Sequence, residues 1–287
     1  MPAKGQILVA AVLMVGLLVM SALVVAYQAH ALFLRARGVV VRETAAAITA
    51  DFERALAAML SLATRTYYDH ARFSDFTARF EGYGLRPGDL ESAKLVARRF
   101  LEEWEAAVRV VYAEKGAQVE WFETVCELGS EVGMGEAYVY DLLYVSWHQE
   151  RAGSFICAGL RLNLTGAGFY GWREAALVGF ALSVTGASAT EDEEEGVARI
   201  DVNVTARIDN GTFYGNLLAR GWVEVHYWDG ERWVEVEVKD STYLGFGNYR
   251  IVAHAPGAEP EDVKVVRVVA SDERGVLVVA QRACERR

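Results

Sequence analysis

Basic residues are scarce in this sequence, and their scarcity excludes one class of function. The chain has 287 residues, with 29 Lys and Arg against 39 Asp and Glu, and its formal net charge is −10. Nucleic acids are bound mainly by clustered Lys and Arg that neutralise phosphates. We therefore expect no nucleic-acid partner.

Sequence motifs for catalysis and metal binding are also missing. The histidines are scattered without the spacing of a metal site, and no nucleophile elbow, P-loop or dinucleotide fingerprint is present. The acidic run at 190–196 lacks the alternating oxygen ligands of a calcium loop. We expect no enzyme, no catalytic or metal-binding residue, and no cofactor.

Cysteine is limited to three residues, an odd number. Cys126 and Cys157 both lie in strand-like runs and form a possible disulfide. Cys284 lies in a polar C-terminal stretch and is expected to be unpaired. Three free thiols are the alternative that the sequence leaves open.

The longest apolar run extends from Ile7 to Tyr27, interrupted only by Gly16 and Ser21. A helix of about 20 apolar residues spans a bilayer core, so the run predicts a transmembrane helix within residues 1–30. The lipid bilayer is then a partner, and the protein is placed in a cell membrane as a single-pass protein. Charge leaves the orientation open. The glycosylation sequons favour an extracytoplasmic domain, and they begin at Asn163, Asn203 and Asn210.

Lys4-Gly5-Gln6, directly before this run, resembles the class III signal of archaeal pilins and pilin-like surface proteins. The resemblance covers the N-terminal segment only. It implies cleavage between Gly5 and Gln6 by a prepilin peptidase and packing of the helix against other pilin-like subunits. Ala10 departs from the bacterial type IV pilin pattern, which has Glu at this place. A plain uncleaved anchor remains the alternative.

Two helices with heptad-like apolar spacing are predicted in residues 31–116. Apolar positions recur at steps of three and four from Val41 to Leu62 and again from Ala93 to Val111, as in packed helices. Asp89 is placed to cap the second helix. We expect a helical stalk and an antiparallel helical hairpin.

From residue 117 onward the period changes to that of strands separated by Gly-rich turns. We predict a β-rich middle domain at 117–190, an acidic linker at 191–197 and an immunoglobulin-like or fibronectin-like β-sandwich at 198–283. The predicted fold class is therefore α+β: a transmembrane helix continuing into a long amphipathic helix and hairpin, a mixed middle domain and a C-terminal sandwich.

One hairpin of the predicted sandwich can be registered around a two-residue Asp229-Gly230 turn. This register places Val225 opposite Val234, Val223 opposite Val236, Glu224 opposite Glu235 and His226 opposite Trp233. One face then becomes aromatic and acidic, and we treat it as a possible surface-binding face. Its predicted members are Trp222, Glu224, His226, Trp228, Trp233 and Glu235.

These patterns favour a membrane-anchored, pilin-like cell-surface subunit, minor or at a filament tip, whose exterior domains serve assembly or adhesion. The alternative is a non-polymerising single-pass membrane protein whose sandwich binds a protein partner or a surface polysaccharide.

Overall fold

A computed structural model describes residues 3–68, 89–129, 132, 137–192 and 197–286. Before residue 40 of the first helix, it describes the side chains of residues 23 and 25–28 alone. The helices are α1 (Ala3–Tyr68), α2 (Leu90–Val111) and α3 (Leu217–Arg220), with short 3-10 turns at Ala113–Lys115, Thr165–Ala167 and Pro260–Asp262. The strands are β1 (Ala117–Glu123), β2 (Cys126–Leu128), β3 (Ala137–Val139), β4 (Leu143–Ser146), β5 (Arg151–Leu164), β6 (Phe169–Asp192), β7 (Val197–Ile208), β8 (Thr212–Phe213), β9 (Trp222–Trp228), β10 (Trp233–Gly245), β11 (Asn248–Ala255), β12 (Val265–Ser271), β13 (Leu277–Ala283) and β14 (Glu285–Arg286).

Helix α1 packs on the β domain through the predicted apolar seam. Ile48, Phe52 and Met59 are fully buried, and Phe52 contacts Trp104 of α2 with ring centroids 5.1 Å apart. Lys115, just after α2, donates to the Thr44 hydroxyl, so the two helices run antiparallel. Asp89 caps α2 by accepting from the backbone N–H of Glu91, as predicted.

The predicted transmembrane helix is contradicted. Within the part of the chain that the structure describes, no helix combines the length and the apolar character needed to cross a membrane. The single-pass anchor and the cell-membrane location with an extracytoplasmic domain are corrected on this finding.

Most strands belong to one large sheet with the order β1-β5-β6-β7-β11-β10-β9-β12-β13. Off this path, β4 pairs with β5, β8 with β7, and β14 with β6. All pairs are antiparallel except β14 on β6, which is parallel. A separate two-stranded sheet joins β2 to β3.

The sheet folds back on itself because β10 changes neighbours along its length. Residues Trp233–Val236 pair with β9, whereas the part from Glu237 to Gly245 pairs with β11. As a result β13 returns to the β4–β5 connection, where the His148 N–H donates to the Val279 carbonyl at 2.9 Å. Strands β1, β4–β8, β11 and β14 with the second part of β10 form the first layer, and β9, β12 and β13 with the first part of β10 form the second layer. Apolar side chains of both layers and of α1 belong to one core.

The predicted α+β fold class is also contradicted. The chain is mostly β-sheet, with 51% strand and 32% helix, in a large antiparallel sheet. The immunoglobulin-like sandwich is not found, because β7 pairs with β6 over twelve positions and binds the 198–283 segment into the sheet of residues 117–192. Of the predicted acidic linker, Glu191 and Asp192 end β6 and Val197 begins β7; the remainder lies outside the described residues.

Candidate functional site

Strands β9 and β10 place the six predicted surface-binding residues on the outward face of the second layer. Side chains alternate along a strand, so Val225 and Tyr227 point into the core while the residues between them point out. We call the outward set, Trp222, Glu224, His226, Trp228, Trp233 and Glu235, the β9–β10 face. Glu235 is exposed and Trp222 is 37% exposed, whereas the other four are half-buried.

The predicted pairing register of this hairpin is wrong by two residues. Trp233 lies opposite Trp228, Val234 opposite Tyr227, Glu235 opposite His226, and Val236 opposite Val225. The reason is the Asp229 side chain, which accepts hydrogen bonds from the N–H groups of Glu231 and Arg232. Asp229 therefore begins the turn instead of occupying its centre. A shift of two keeps every side chain on its predicted face.

An arginine that the sequence reading missed completes the β9–β10 face. Arg267 on β12 lies opposite His226 of β9, and its guanidinium lies 3.6 Å from the ring centroid of Trp233. Trp233 in turn contacts Trp228 at 5.4 Å between centroids. Arginine stacks well on tryptophan. The alternating run from Val265 to Val269 contained this residue, but the sequence could not show that β12 neighbours β9.

Arg267 forms no hydrogen bond or ion pair within the described residues. Its Nε atom is buried without a partner, and so is Oε1 of Gln281, the residue opposite it on β13. Burial lowers the pKa of Arg267, opposed by Tyr68. The pKa of His148 is also lowered, first by burial and then by the Arg267 charge. A half-buried arginine that lacks an anionic partner can accept one from a ligand.

Among the described residues, no ion pair joins Arg267 to the carboxylates of the β9–β10 face. Glu224 contacts His226, with 3.4 Å between Oε2 and Nε2, and Glu235 lies on the β10 side opposite His226. The face thus combines an unpaired guanidinium, indole rings and hydrogen-bonding groups, which together suit a polar ligand with a negative charge.

The other predicted residues lie elsewhere. Cys126 and Cys157 are joined by a disulfide that ties β2 to β5. The side chain of Asn163 is engaged, because Oδ1 accepts from the Gly171 N–H at 2.7 Å. Asn203 and Asn210 are exposed. Glycosylation at these three residues stays a prediction, and processing at Gly5 and Gln6 falls on side chains outside the described residues.

Within the described ranges, no group of three or more His, Cys, Asp or Glu could hold a metal ion. A cavity of about 510 Å³ lies between α1 and β6, and charged side chains of both signs line it, among them Glu53, Arg54, Asp209 and Arg274. Arg274 is held there by Asp209 and Asp272.

Comparisons with known proteins place the chain in no family. No family model matches, and no curated protein matches. One similar chain occurs in the crystal structure of the human cytomegalovirus protein US2 bound to the MHC class I molecule HLA-A2/tax. Its identity is 10% and its TM-score 0.25, over 36% of this chain and 97% of that one. A likeness at this level carries no argument about fold or function.

Proposed function

We propose that the protein is an assembly and adhesion subunit. Its β domain binds an acidic polysaccharide through the β9–β10 face and Arg267, and helix α1 associates with α1 of other copies. The observation that carries the proposal is Arg267, stacked on Trp233 without a hydrogen bond or ion pair in the described part of the chain.

A sugar carboxylate matches the chemistry of this arrangement. The planar guanidinium fork binds carboxylates with two parallel hydrogen bonds, and exposed indoles such as Trp222 offer an apolar surface to a sugar ring. The net charge of −10 disfavours general attraction of anions, so binding has to come from this local geometry.

The assembly role draws on α1, a helix of 66 residues. Leu23, Val25 and Tyr27 are 60%, 63% and 75% exposed, and in the described part of α1 burial begins only at Val41. Exposed apolar side chains on a helix favour packing against other helices. The resemblance at Lys4-Gly5-Gln6 stays a prediction and agrees with an assembling subunit.

Titration calorimetry with oligogalacturonate tests the binding role. We expect the protein to bind this polymer of uronic acids and not a neutral glucan. Arg267→Gln should weaken binding at least about tenfold, because hydrogen bonds to charged groups contribute about 1.5–3 kcal/mol. Arg267→Lys should restore little, since it lacks the planar fork.

Arg232→Gln is the matched control. Arg232 lies on the same hairpin with its side chain 81% exposed and should leave the affinity unchanged. Equal affinity of the wild type and Arg267→Gln, or equal binding of neutral and acidic polymers, contradicts the proposal.

A further inference from the structure

The cavity between α1 and β6 has the size and the lining of a small-molecule site. Its volume of about 510 Å³ lies within the range of known ligand pockets. Part of the lining is apolar and comes from both walls, from alanines of the helix and from Leu177 and Val178 of β6. The charged lining residues also come from both walls, Glu53 and Arg54 from α1, and Asp209 and Arg274 from the turns that follow β7 and β12.

The wall opposite the helix carries an excess of negative charge. Arg274 pairs with Asp209 and with the fully buried Asp272, so one guanidinium faces two carboxylates. Oδ1 of Asp209 accepts from Arg274 and from the Gly179 N–H. Within the described residues, Oδ2 of Asp209 accepts no hydrogen bond, and the side chain is 39% exposed. Asp209 therefore offers a fixed acceptor to a cationic group in the cavity.

The helix wall offers one further group of each sign. Glu53 and Arg54 are both exposed. Nε of Arg54 donates to the Ala50 carbonyl one turn earlier in the helix, and its two terminal nitrogens have no partner among the described residues. Glu53 forms no ion pair there either. The cavity thus presents two available carboxylates, those of Asp209 and Glu53, and one available guanidinium.

We propose that this cavity binds a diamino acid, a small molecule with two ammonium groups and one carboxylate, of which lysine is the simplest probe. The carboxylate binds the planar fork of Arg54, and the ammonium groups bind Asp209 and Glu53. The methylene groups between them lie on Leu177 and Val178. Each charge of the ligand then meets one of opposite sign, which favours this ligand over an acidic amino acid. The site is independent of the polysaccharide-binding role.

A chemical-shift titration of the full chain with lysine tests the proposal. We expect the Gly179 amide signal to move, because this N–H donates to Asp209. Cadaverine is lysine without the carboxylate, and norleucine is lysine without the side-chain ammonium group. Both should bind at least about fivefold more weakly than lysine, because each loses one charged contact with the cavity.

Two exposed helix residues give variants that leave the fold intact. Arg54→Gln should weaken lysine binding about fivefold and leave cadaverine binding unchanged, because cadaverine has no carboxylate for Arg54 to bind. Glu53→Gln should weaken the binding of both compounds. Asp209→Asn would also disturb Arg274, so the two helix variants carry the test.

Arg42→Gln and Glu43→Gln are the matched controls. Both residues are exposed on the same helix and lie outside the cavity lining, so these variants should bind lysine like the wild type. Arg267→Gln should do the same, because it removes the polysaccharide site alone.

Three outcomes overturn the proposal. The first is equal affinity for lysine and norleucine. The second is lysine binding that is unchanged in both Arg54→Gln and Glu53→Gln. The third is a titration in which lysine moves signals of the β9–β10 face and leaves the Gly179 signal in place, since lysine would then bind elsewhere on the molecule.

Discussion

At the scale of single residues, one arginine links three segments of the chain. Arg274 donates from Nε to Asp272 at 2.7 Å, from Nη1 to Asp209 at 2.8 Å and from Nη2 to the Gly179 carbonyl at 2.8 Å. The Asp272 side chain is fully buried. Burial raises the pKa of Asp272, and the Arg274 charge acts against that shift. The buried Asp272–Arg274 pair therefore stabilises the fold only while both side chains are present.

We predict that Asp272→Ala lowers the free energy of unfolding by about 3–5 kcal/mol, because it leaves Arg274 partly uncompensated in a buried position. It also removes the acceptor of the Val276 N–H. Urea unfolding followed by circular dichroism measures the change.

Glu273→Ala is the neighbouring control. Glu273 pairs only at the surface with Arg220, whose side chain is 69% exposed, and exposed ion pairs contribute about 0–1 kcal/mol. Similar losses of unfolding free energy in the two variants would contradict a particular role of the buried Asp272–Arg274 pair in stability.

At the scale of elements, the apolar periodicity predicted which side of helix α1 is buried. The apolar seam of α1 is buried from Val41 to Met59. The predicted buried side of α2 is wrong at the C-terminal end of the helix, where Val108 is buried and Val111 is 72% exposed. Packing against β1 rotates the buried side there, and a single helix pattern does not contain that information.

Strand partners were predicted less well than strands. Alternation shows which side chains share a face, and the six residues of the β9–β10 face were found in this way. It does not show which strands are adjacent, so Arg267 was missed, and the change of partner along β10 was not foreseen. The Trp228–Trp233 contact was also not predicted, because it depends on the turn that the Asp229 side chain forms by accepting a backbone hydrogen bond.

The disulfide is the element-scale feature that a simple experiment can test. It joins residues 31 positions apart and anchors β2 and β3 over Phe155, Cys157 and Ala181, a small cluster separate from the main core. We predict that Cys126→Ser with Cys157→Ser lowers stability by about 2–4 kcal/mol. Hydrogen exchange should show the loss of protection concentrated in β2 and β3.

Cys284→Ser serves as the control. Burial raises the pKa of the Cys284 thiol to about 11, so little thiolate is present for exchange with the disulfide at neutral pH. This variant should unfold like the wild type. Uniform loss of protection across β5 and β6 in the double variant would contradict a local role for the bridge.

At the scale of the whole molecule, contacts between residues distant in sequence hold helix α1 and the two layers together. The Leu277 N–H donates to the Thr64 hydroxyl of α1, and the Ser154 hydroxyl donates to the Leu277 carbonyl. These bonds connect the helix, the first layer and the second layer at one residue. The second layer therefore depends on the segments before it, which explains why residues 198–283 do not form the separate sandwich that local patterns suggested.

Our last prediction concerns α1 as the means of association between copies. Leu23 and Tyr27 are four residues apart and lie on one side of the helix, where both are exposed. Burying each against another helix contributes about 1.5–3 kcal/mol, so Leu23→Glu with Tyr27→Glu should raise the dissociation constant at least about tenfold in sedimentation equilibrium. Gln28→Glu adds a charge at an exposed neighbour without removing apolar surface, and it should leave association intact. A wild-type chain that is monomeric at every concentration would remove the basis for assembly through α1.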